Sequence, residues 1–125
     1  MLYGTDNDIT DVIIGCAIDV HKELGPGLLE SVYENALCIE FSARGIQFDR
    51  QVGVPLHYKG HLISEHRPDL VVAERVIVEV KCVERFLPIH TAQVLTYLRV
   101  MTLETGLLLN FKTEVMKNGV KRVRL

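Results

Sequence analysis

Three charged side chains near the middle of the sequence could together carry out metal-assisted chemistry on a phosphate ester. They are Asp69, which follows Arg67-Pro68, and the pair Glu79 and Lys81, which flank Val80. Carboxylates are ligands that Mg²⁺ prefers, and a lysine beside them can orient a water and stabilise negative charge. The residue types therefore predict a site that holds a divalent cation and a water beside a phosphodiester.

The residues between the two carboxylates predict a hairpin. Residues 69–72 and 76–78 are rich in β-branched and apolar side chains, and the polar residues 73–75 suit a short loop. A three-residue loop pairs Asp69 with Glu79 across the two strands, roughly 5 Å apart at Cβ. Like charges at this distance repel each other, so the pair is favoured only if a cation lies between them.

The same register decides which way the neighbouring side chains point. Lys81 lies two residues after Glu79 and shares its face, whereas Val78 and Val80 point to the opposite side, into a core. A loop shorter by one residue would pair Asp69 with Val80 and turn the carboxylates to opposite faces. For Glu79 and Lys81 alone, an ordinary amphipathic strand is the alternative explanation.

Four motifs, in order along the chain, resemble the PD-(D/E)xK nuclease superfamily. Pro68-Asp69 and Glu79-Val80-Lys81 resemble its central signature, while Gln93 and Tyr97 resemble the Gln-x-x-x-Tyr element of its exonuclease-like branch. Upstream, the segment Gly27-Leu28-Leu29-Glu30-Ser31-Val32-Tyr33 matches the pattern of the small bacterial GxxExxY proteins, which are assigned to that superfamily.

The resemblance covers about residues 20–111 and implies a mixed α/β fold with a mixed sheet. The superfamily has a restriction-endonuclease-like core in the order helix, three strands, helix, strand (αβββαβ). Hydrophobic periodicity and turn residues predict an order that contains this core, with an added N-terminal helix and an added C-terminal hairpin. The length of 125 residues suits one domain over residues 1–125.

Periodicity and turn residues also give the bounds of the expected elements. Predicted helices cover about residues 9–24, 28–43 and 88–101, and predicted strands cover 46–48, 52–58, 61–64, 106–111 and 120–125 besides the hairpin of Asp69 and Glu79. Pro88 suits the first turn of the third helix. Asn118-Gly119 predicts a tight hairpin turn before the last strand.

The resemblance implies a set of metal ligands. Asp69, Glu79, the main-chain carbonyl of Val80 and a water-mediated Glu30 would hold Mg²⁺ or Mn²⁺ together with several waters. Glu30 would correspond to the acidic residue that the superfamily supplies from its first core helix. An acidic residue in the first turn of a helix can also simply stabilise the helix dipole.

Catalysis would depend on residues around these ligands. Lys81 is expected to position the attacking water and stabilise negative charge in preference to acting as a general base, because nearby carboxylates favour its charged form. Gln93 would reach the catalytic water or a substrate phosphate, and Tyr97 would support the site. His90 shares their helix face; it is either a phosphate ligand or an ordinary surface histidine.

The net charge of −2 hides an uneven distribution of charge. The first 40 residues carry eight acidic residues and one lysine, whereas the chain from Phe111 onward carries five basic residues and one acidic residue. The basic end predicts either a phosphate-contacting edge or a charged edge strand that prevents aggregation. The candidate substrate-binding residues are Arg67, His90, Lys121, Arg122 and Arg124.

Composition argues against several classes of protein. The first predicted helix carries too many charges to span a membrane, and the N-terminus has no basic, apolar secretion signal. Cys16, Cys38 and Cys82 are scattered and contain no Cys-x-x-Cys pair. This pattern predicts free thiols, a cytoplasmic location and no cysteine-ligated zinc.

The sequence thus predicts a nuclease that uses Mg²⁺ or Mn²⁺ to hydrolyse DNA, or else RNA. One alternative is a catalytically silent nuclease-fold module that binds nucleic acid or a protein partner. Another is an oligomerising domain, such as a homodimer, whose acidic and basic ends attract each other. The set Asp69, Glu79, Lys81 and Gln93 counts against the silent module, because without catalysis a repulsive carboxylate pair has no use.

Overall fold

A computed structural model describes residues 3–125 and shows three helices and seven strands. The helices are α1 (Asp6–Leu24), α2 (Glu30–Ala43) and α3 (Pro88–Met101). The strands are β1 (Phe48–Arg50), β2 (Val54–Tyr58), β3 (His61–His66), β4 (Leu70–Val72), β5 (Val76–Lys81), β6 (Thr105–Asn110) and β7 (Val120–Arg124). A short 3₁₀ turn, Met116–Gly119, precedes β7.

Five strands form one mixed sheet in the order β1-β4-β5-β6-β7, and β2 and β3 form a separate hairpin. Strands β5 and β6 run parallel, and the other neighbours are antiparallel. The β2–β3 hairpin is inserted between β1 and β4. Without it, α2, β1, β4, β5, α3 and β6 follow the predicted αβββαβ order, and α1 and β7 are the added elements.

A buried layer covers each face of the central strands. Helices α1 and α2 pack on one face, against residues that include Leu70, Val78 and Leu109. Helix α3 packs on the other face, against Ile77 and Leu108. Because side chains alternate along a strand, β4, β5 and β6 are buried on both sides, which explains their nearly continuous apolar sequences. Polar residues at the ends of these strands are therefore exceptions to the apolar pattern.

The β4–β5 hairpin has the predicted three-residue loop. Its register pairs Leu70 with Val78. One residue further along, the same register brings Asp69 opposite Glu79. The two carboxylates share an end of the sheet because of this loop length, since a shift by one residue would have separated them.

The structure corrects the predicted turn before the last strand. Asn118 and Gly119 lie in the 3₁₀ turn, and β7 pairs with β6 across the connection formed by residues 111–119. An added Cβ at Gly119 would lie 2.1 Å from the main-chain oxygen of Asn110. The glycine therefore serves close packing of the chain and not a two-residue hairpin turn.

Among residues 3–125, none of the helices is long and apolar enough to cross a membrane. Cys16, Cys38 and Cys82 are free cysteines. Burial raises the pKa of all three thiols, that of Cys16 to about 11, so they stay protonated at neutral pH.

Gly106 sets the distance between β6 and α3. A Cβ at this position would lie 2.5 Å from Cγ1 of Val94 in α3. We expect Gly106→Ala to lower the free energy of unfolding by about 1–3 kcal/mol, because overpacking displaces the helix. Gly15→Ala in α1 is the control: its Cβ would lie 3.6 Å from Nη1 of Arg44, which is an ordinary contact. Urea denaturation measures both variants, and equal stabilities would contradict this account.

Candidate functional site

The carboxylates of Asp69 and Glu79 accept hydrogen bonds from main-chain N–H groups at the open end of the β4–β5 hairpin, where pairing of the two strands stops. The N–H of Asp69 donates to Oε1 of Glu79 (2.8 Å), and the N–H of Val80 donates to Oδ2 of Asp69 (2.8 Å). These bonds fix both side chains in place. They use one oxygen of each carboxylate and leave Oδ1 of Asp69 and Oε2 of Glu79 for other partners.

Lys81 extends towards the same carboxylates, on the face that strand alternation predicted. Its Nζ lies 3.7 Å from Oε2 of Glu79, and its side chain is only 18% exposed. This distance is longer than a good hydrogen bond, so the ammonium keeps donors for a further partner. Val78 and Val80 are buried in the core on the other side of the strand. The predicted register of β5 is thus confirmed.

Burial and a neighbouring carboxylate raise the pKa of both carboxyl groups. The pKa of Glu79 rises from 4.5 to about 7, chiefly through burial and then through the charge of Asp69. The pKa of Asp69 rises from 3.8 to about 6, chiefly through burial, with a further contribution from Glu34. The charge of Lys81 and the hydrogen bonds to main-chain N–H groups oppose these shifts. A bound cation would favour the ionised form of both groups.

A third carboxylate, that of Glu34 in α2, lies beside Asp69. Glu34 is buried, with 8% of its surface exposed. Arg50, at the end of β1, donates to its Oε2 from Nε (3.1 Å) and Nη2 (2.5 Å), and Gln51 donates to its Oε1 (3.4 Å). These bonds hold α2 against β1 and direct the Glu34 carboxylate to the end of the sheet. Glu34 was not among the site residues predicted from the sequence.

Glu30, the acidic residue predicted from α2, has a different partner. Its Oε2 accepts a hydrogen bond from the main-chain N–H of Cys82 (3.2 Å), just after Lys81. This contact ties the start of α2 to the end of β5. The structure therefore places Glu34, one helical turn later than Glu30, beside Asp69. Residues four apart share a helix face, and this spacing was the signal that could have drawn attention to Glu34.

Helix α3 contributes Tyr97 to the site and leaves Gln93 exposed. Tyr97 is buried, and its pKa is raised by burial and then by the charges of Glu79 and Asp69. The phenol therefore lies near the carboxylate pair. Gln93 lies one turn earlier on the same helix, at the surface. Residues four apart can share a helix face, and a role for Gln93 at the site stays a prediction.

Two predicted substrate contacts have partners within the chain. Nδ1 of His90 accepts a hydrogen bond from the main-chain N–H of Leu87 (3.0 Å), so the imidazole caps the start of α3. Nη2 of Arg67 lies 3.3 Å from Oε1 of Glu65, and both side chains remain largely exposed. Arg67 directly precedes Pro68 and the site. A role for either residue in substrate binding stays a prediction.

The structure separates most of the basic C-terminal tail from the site. Arg122 lies 3.2 Å from Asp11, and Arg124 donates to Asn7 (2.6 Å); both partners belong to α1. These arginines lie on the face of the sheet that α1 covers, opposite to the carboxylate pair. Lys121 and Glu79 both pair with Leu108 of β6. Of the basic residues Lys121, Arg122 and Arg124, only Lys121 therefore lies on the same face of the sheet as the carboxylates.

The main-chain carbonyl of Val80 is also available at the open end of the sheet. The N–H and C=O of one strand residue point to the same side, and the N–H of Val80 points to Asp69. Strand pairing with β4 stops two residues earlier, at Val78. The next carbonyl, that of Lys81, points the other way and accepts from the N–H of Phe111 (2.9 Å).

Asn110 fixes the chain directly after the motif. It lies next to Lys81 across β5 and β6 and is 3% exposed. Its Oδ1 accepts from the N–H groups of Val83 (3.1 Å) and Lys112 (3.1 Å), and its Nδ2 donates to the oxygen of Val83 (2.7 Å). The side chain thus holds the end of β5 in place. From the sequence, Asn110 is expected only as part of an apolar strand, so this role was not predicted.

Comparison with known proteins decides the family. The family model described as the PD-(D/E)XK nuclease superfamily matches residues 7–123. The chain belongs to this superfamily. Searches of curated proteins and of solved structures gave no match. The more specific likeness to the GxxExxY proteins stays a prediction.

Members of the PD-(D/E)XK superfamily typically use divalent metals, and the oxygens at this site fit such an ion. Mg²⁺ is usually held by one or two carboxylates and keeps several waters. Asp69 and Glu79 each offer one oxygen that accepts no main-chain hydrogen bond, that of Glu79 lying 3.7 Å from Lys81, and Val80 offers a carbonyl. Over residues 3–125, no three His, Cys, Asp or Glu side chains form a ready cage for a metal. The donor set therefore suits an open, partly hydrated site.

The raised pKa values predict how the metal-free protein responds to pH. Folded Asp69 and Glu79 bind protons more tightly than in the unfolded chain, so stability should fall as pH rises from about 4 to about 7. The loss is at most roughly a few kcal/mol. Asp69→Asn should flatten this dependence and be as stable as the parent, or more stable, at pH 8, because a repulsion is removed.

Urea denaturation in the presence of EDTA, from about pH 4.5 to about pH 8, measures this effect. Asp49→Asn, a change at an exposed carboxylate in β1, is the matched control and should keep the parent's pH dependence. An unchanged slope in Asp69→Asn would show that the pKa of this carboxyl is not raised.

Substitutions of Glu34 and Glu30 should affect the pKa of Asp69 differently. Because the charge of Glu34 helps to raise the pKa of Asp69, Glu34→Gln should lower that pKa. Glu30→Gln should leave it unchanged, since Glu30 binds the main chain of Cys82. Carbon-13 NMR titration of the Asp69 carboxyl in the two variants compares them. The same response to both changes would contradict the placement of Glu34 beside Asp69.

Proposed function

We propose that the protein is a nuclease that uses Mg²⁺ or Mn²⁺ to hydrolyse phosphodiester bonds, with DNA as the expected substrate. The observation that carries this proposal is the pair of half-buried Asp69 and buried Glu79, with Lys81 Nζ 3.7 Å from Glu79. A purely structural role would not favour two neighbouring carboxylates that both have raised pKa values. Membership of a superfamily whose members are usually hydrolytic nucleases supports the reaction type.

The residues that would hold the cation are Asp69, Glu79 and the carbonyl of Val80. Glu34, which lies beside Asp69, replaces Glu30 in this proposal as the acidic residue that α2 supplies. When bound, a divalent cation would acidify a water and neutralise charge on the scissile phosphate. Binding requires ionised carboxylates, so the protein would release protons as it takes up the metal.

Lys81 is the residue proposed to act on the reacting atoms. Its ammonium borders Glu79, and its side chain is partly exposed at the open end of β5. An ammonium group can donate hydrogen bonds but has no lone pair to accept a proton. Lys81 would therefore orient the attacking water and stabilise the negative charge that develops on the phosphate in the transition state.

Gln93 and Tyr97 would position the substrate and the water from the side of α3. The exposed amide of Gln93 offers both a donor and an acceptor. Tyr97 is buried between α3 and the sheet, with its phenol near the carboxylate pair. It would act as a positioning residue that keeps α3 at the correct distance from β5.

A catalytically silent module that binds nucleic acid or a protein is the second candidate. It is favoured by the internal hydrogen bonds of Asp69 and Glu79 and by the ion pair of Lys81, since these contacts partly satisfy the site without a ligand. The two candidates share the fold and differ in catalysis. Cleavage and metal binding must therefore be measured together.

Lys81→Ala should separate catalysis from metal binding. We expect the rate of metal-dependent cleavage to fall by on the order of 10² to 10³, because a preorganised electrostatic donor is lost. Metal affinity should change little, since both carboxylates remain. Gln93→Ala should cost less, and Asp69→Asn should weaken metal binding itself. Cleavage of single-stranded, duplex and branched DNA and of RNA, combined with calorimetric titration of Mg²⁺ and Mn²⁺, measures these effects.

Lys117→Ala, which changes an exposed lysine in the 3₁₀ turn before β7, is the control and should retain the activity of the parent. Undiminished metal-dependent cleavage by Lys81→Ala would contradict the proposed site. Intact metal binding without cleavage of any of these substrates by the parent would favour the silent module.

A further inference from the structure

The β2–β3 hairpin exposes large apolar side chains near its tip. Tyr58, Leu62 and Ile63 are 61%, 63% and 64% exposed and lie on either side of the Lys59-Gly60 turn. The hairpin forms its own two-stranded sheet and shares no strand pairing with the main sheet. Large apolar residues clustered on an exposed element mark a site of interaction.

The inner end of this hairpin is fixed to the candidate active site. Val54 is buried in the same cluster as Tyr97. His66, its partner across the hairpin, has its ring centroid 6.2 Å from that of Tyr97. The chain then continues from His66 through Arg67-Pro68 into Asp69. The hairpin is therefore anchored at the carboxylate pair and not at a distant part of the molecule.

One face of the hairpin connects the site with the tip. Side chains alternate along β2, so Val54 and Tyr58 share a face. Paired residues of antiparallel strands also share a face, and the register pairs Val54 with His66 and Tyr58 with His61, with a bulge at Ile63 between the two pairs. This face carries imidazole rings at both ends and a phenol ring at the tip. Flat rings of this kind suit stacking on nucleobases.

The charge of the hairpin differs from that of the whole chain. Residues 54–67 contain Lys59, Arg67 and three of the five histidines, and Glu65, their single acidic residue, lies 3.3 Å from Arg67. The whole chain has a net charge of −2. Nζ of Lys59 lies 5.4 Å from the centroid of the Tyr58 ring. A cation thus lies over one face of an exposed ring.

We infer that the β2–β3 hairpin binds an unpaired nucleic-acid strand beside the active site, with a base stacked on Tyr58 and phosphate contacts to Lys59. This inference rests on the proposed nuclease function and assigns it a substrate class, namely nucleic acid with a single-stranded segment. In a duplex, neighbouring base pairs cover the faces of each base. An unpaired base can offer its whole face to an aromatic ring, and the combination of such rings with basic residues is typical of single-strand binding.

Fluorescence anisotropy with a labelled oligothymidylate tests the inference. The protein carries Lys81→Ala in Mg²⁺, so that the strand stays intact, and a blunt duplex of equal length is the comparison. We expect the single strand to bind more tightly. Adding Tyr58→Ala should weaken its binding by roughly 5- to 100-fold, the effect of losing one stacked base. Tyr58→Phe should retain affinity because the ring remains.

Two further variants separate stacking from charge and from general apolar contact. Lys59→Ala should reduce the slope of log affinity against log salt by about 0.7, as expected for one lost phosphate contact on a single strand. Tyr58→Ala should leave this slope unchanged. Ile39→Ala removes an apolar side chain in α2 that is 70% exposed, and should not change binding. Circular dichroism verifies that each variant is folded.

Several results would overturn the inference. They are parent-like binding by Tyr58→Ala, tighter binding of the blunt duplex, or no binding of the single strand. A dimer in light scattering that Tyr58→Ala or Leu62→Ala dissociates would assign the surface to a second copy of the chain instead. Failure of the proposed function is distinguishable, because binding that depends on Tyr58 without any cleavage by the parent would identify a silent binding module.

Discussion

The repulsion between two closely placed carboxylates, Asp69 and Glu79, is the constraint on which the rest of the site depends. Burial raises the pKa of Asp69 to about 6, with a further contribution from Glu34, and raises that of Glu79 to about 7, with a further contribution from the charge of Asp69. The three-residue loop after β4, the reciprocal hydrogen bonds and Lys81 keep them together nonetheless. A divalent cation would remove this repulsion. Metal binding would therefore relieve the unfavourable electrostatics that the fold creates at this site.

The sequence predicted this pair well because local features determine it. Loop length and strand alternation decide which residues face each other across the β4–β5 hairpin, and the register agrees with the one predicted. Helix α3 also has the predicted bounds, Pro88–Met101, since a proline marks its start. The order of the motifs predicted the superfamily, and the family match over residues 7–123 confirms it.

Contacts between distant parts of the chain were beyond prediction from the sequence. Glu30 and Glu34 lie on one helix, four residues apart, and only the packing of α2 against β1 selects Glu34, where Arg50 binds it. The basic tail was expected at the substrate, but Arg122 lies against Asp11, from which 111 residues separate it in sequence. Periodicity defines which face of an element is apolar. It does not define which polar residue of another element will meet it.

Anomalous diffraction from a crystal of the protein soaked in Mn²⁺ would test the central claim most directly, because it locates the ion without requiring activity. The account predicts a single strong peak at coordination distance from the free oxygens of Asp69 and Glu79 and from the carbonyl of Val80, and no such peak in Asp69→Asn. A peak bound elsewhere, or none at a Mn²⁺ concentration that saturates binding in solution, would contradict it.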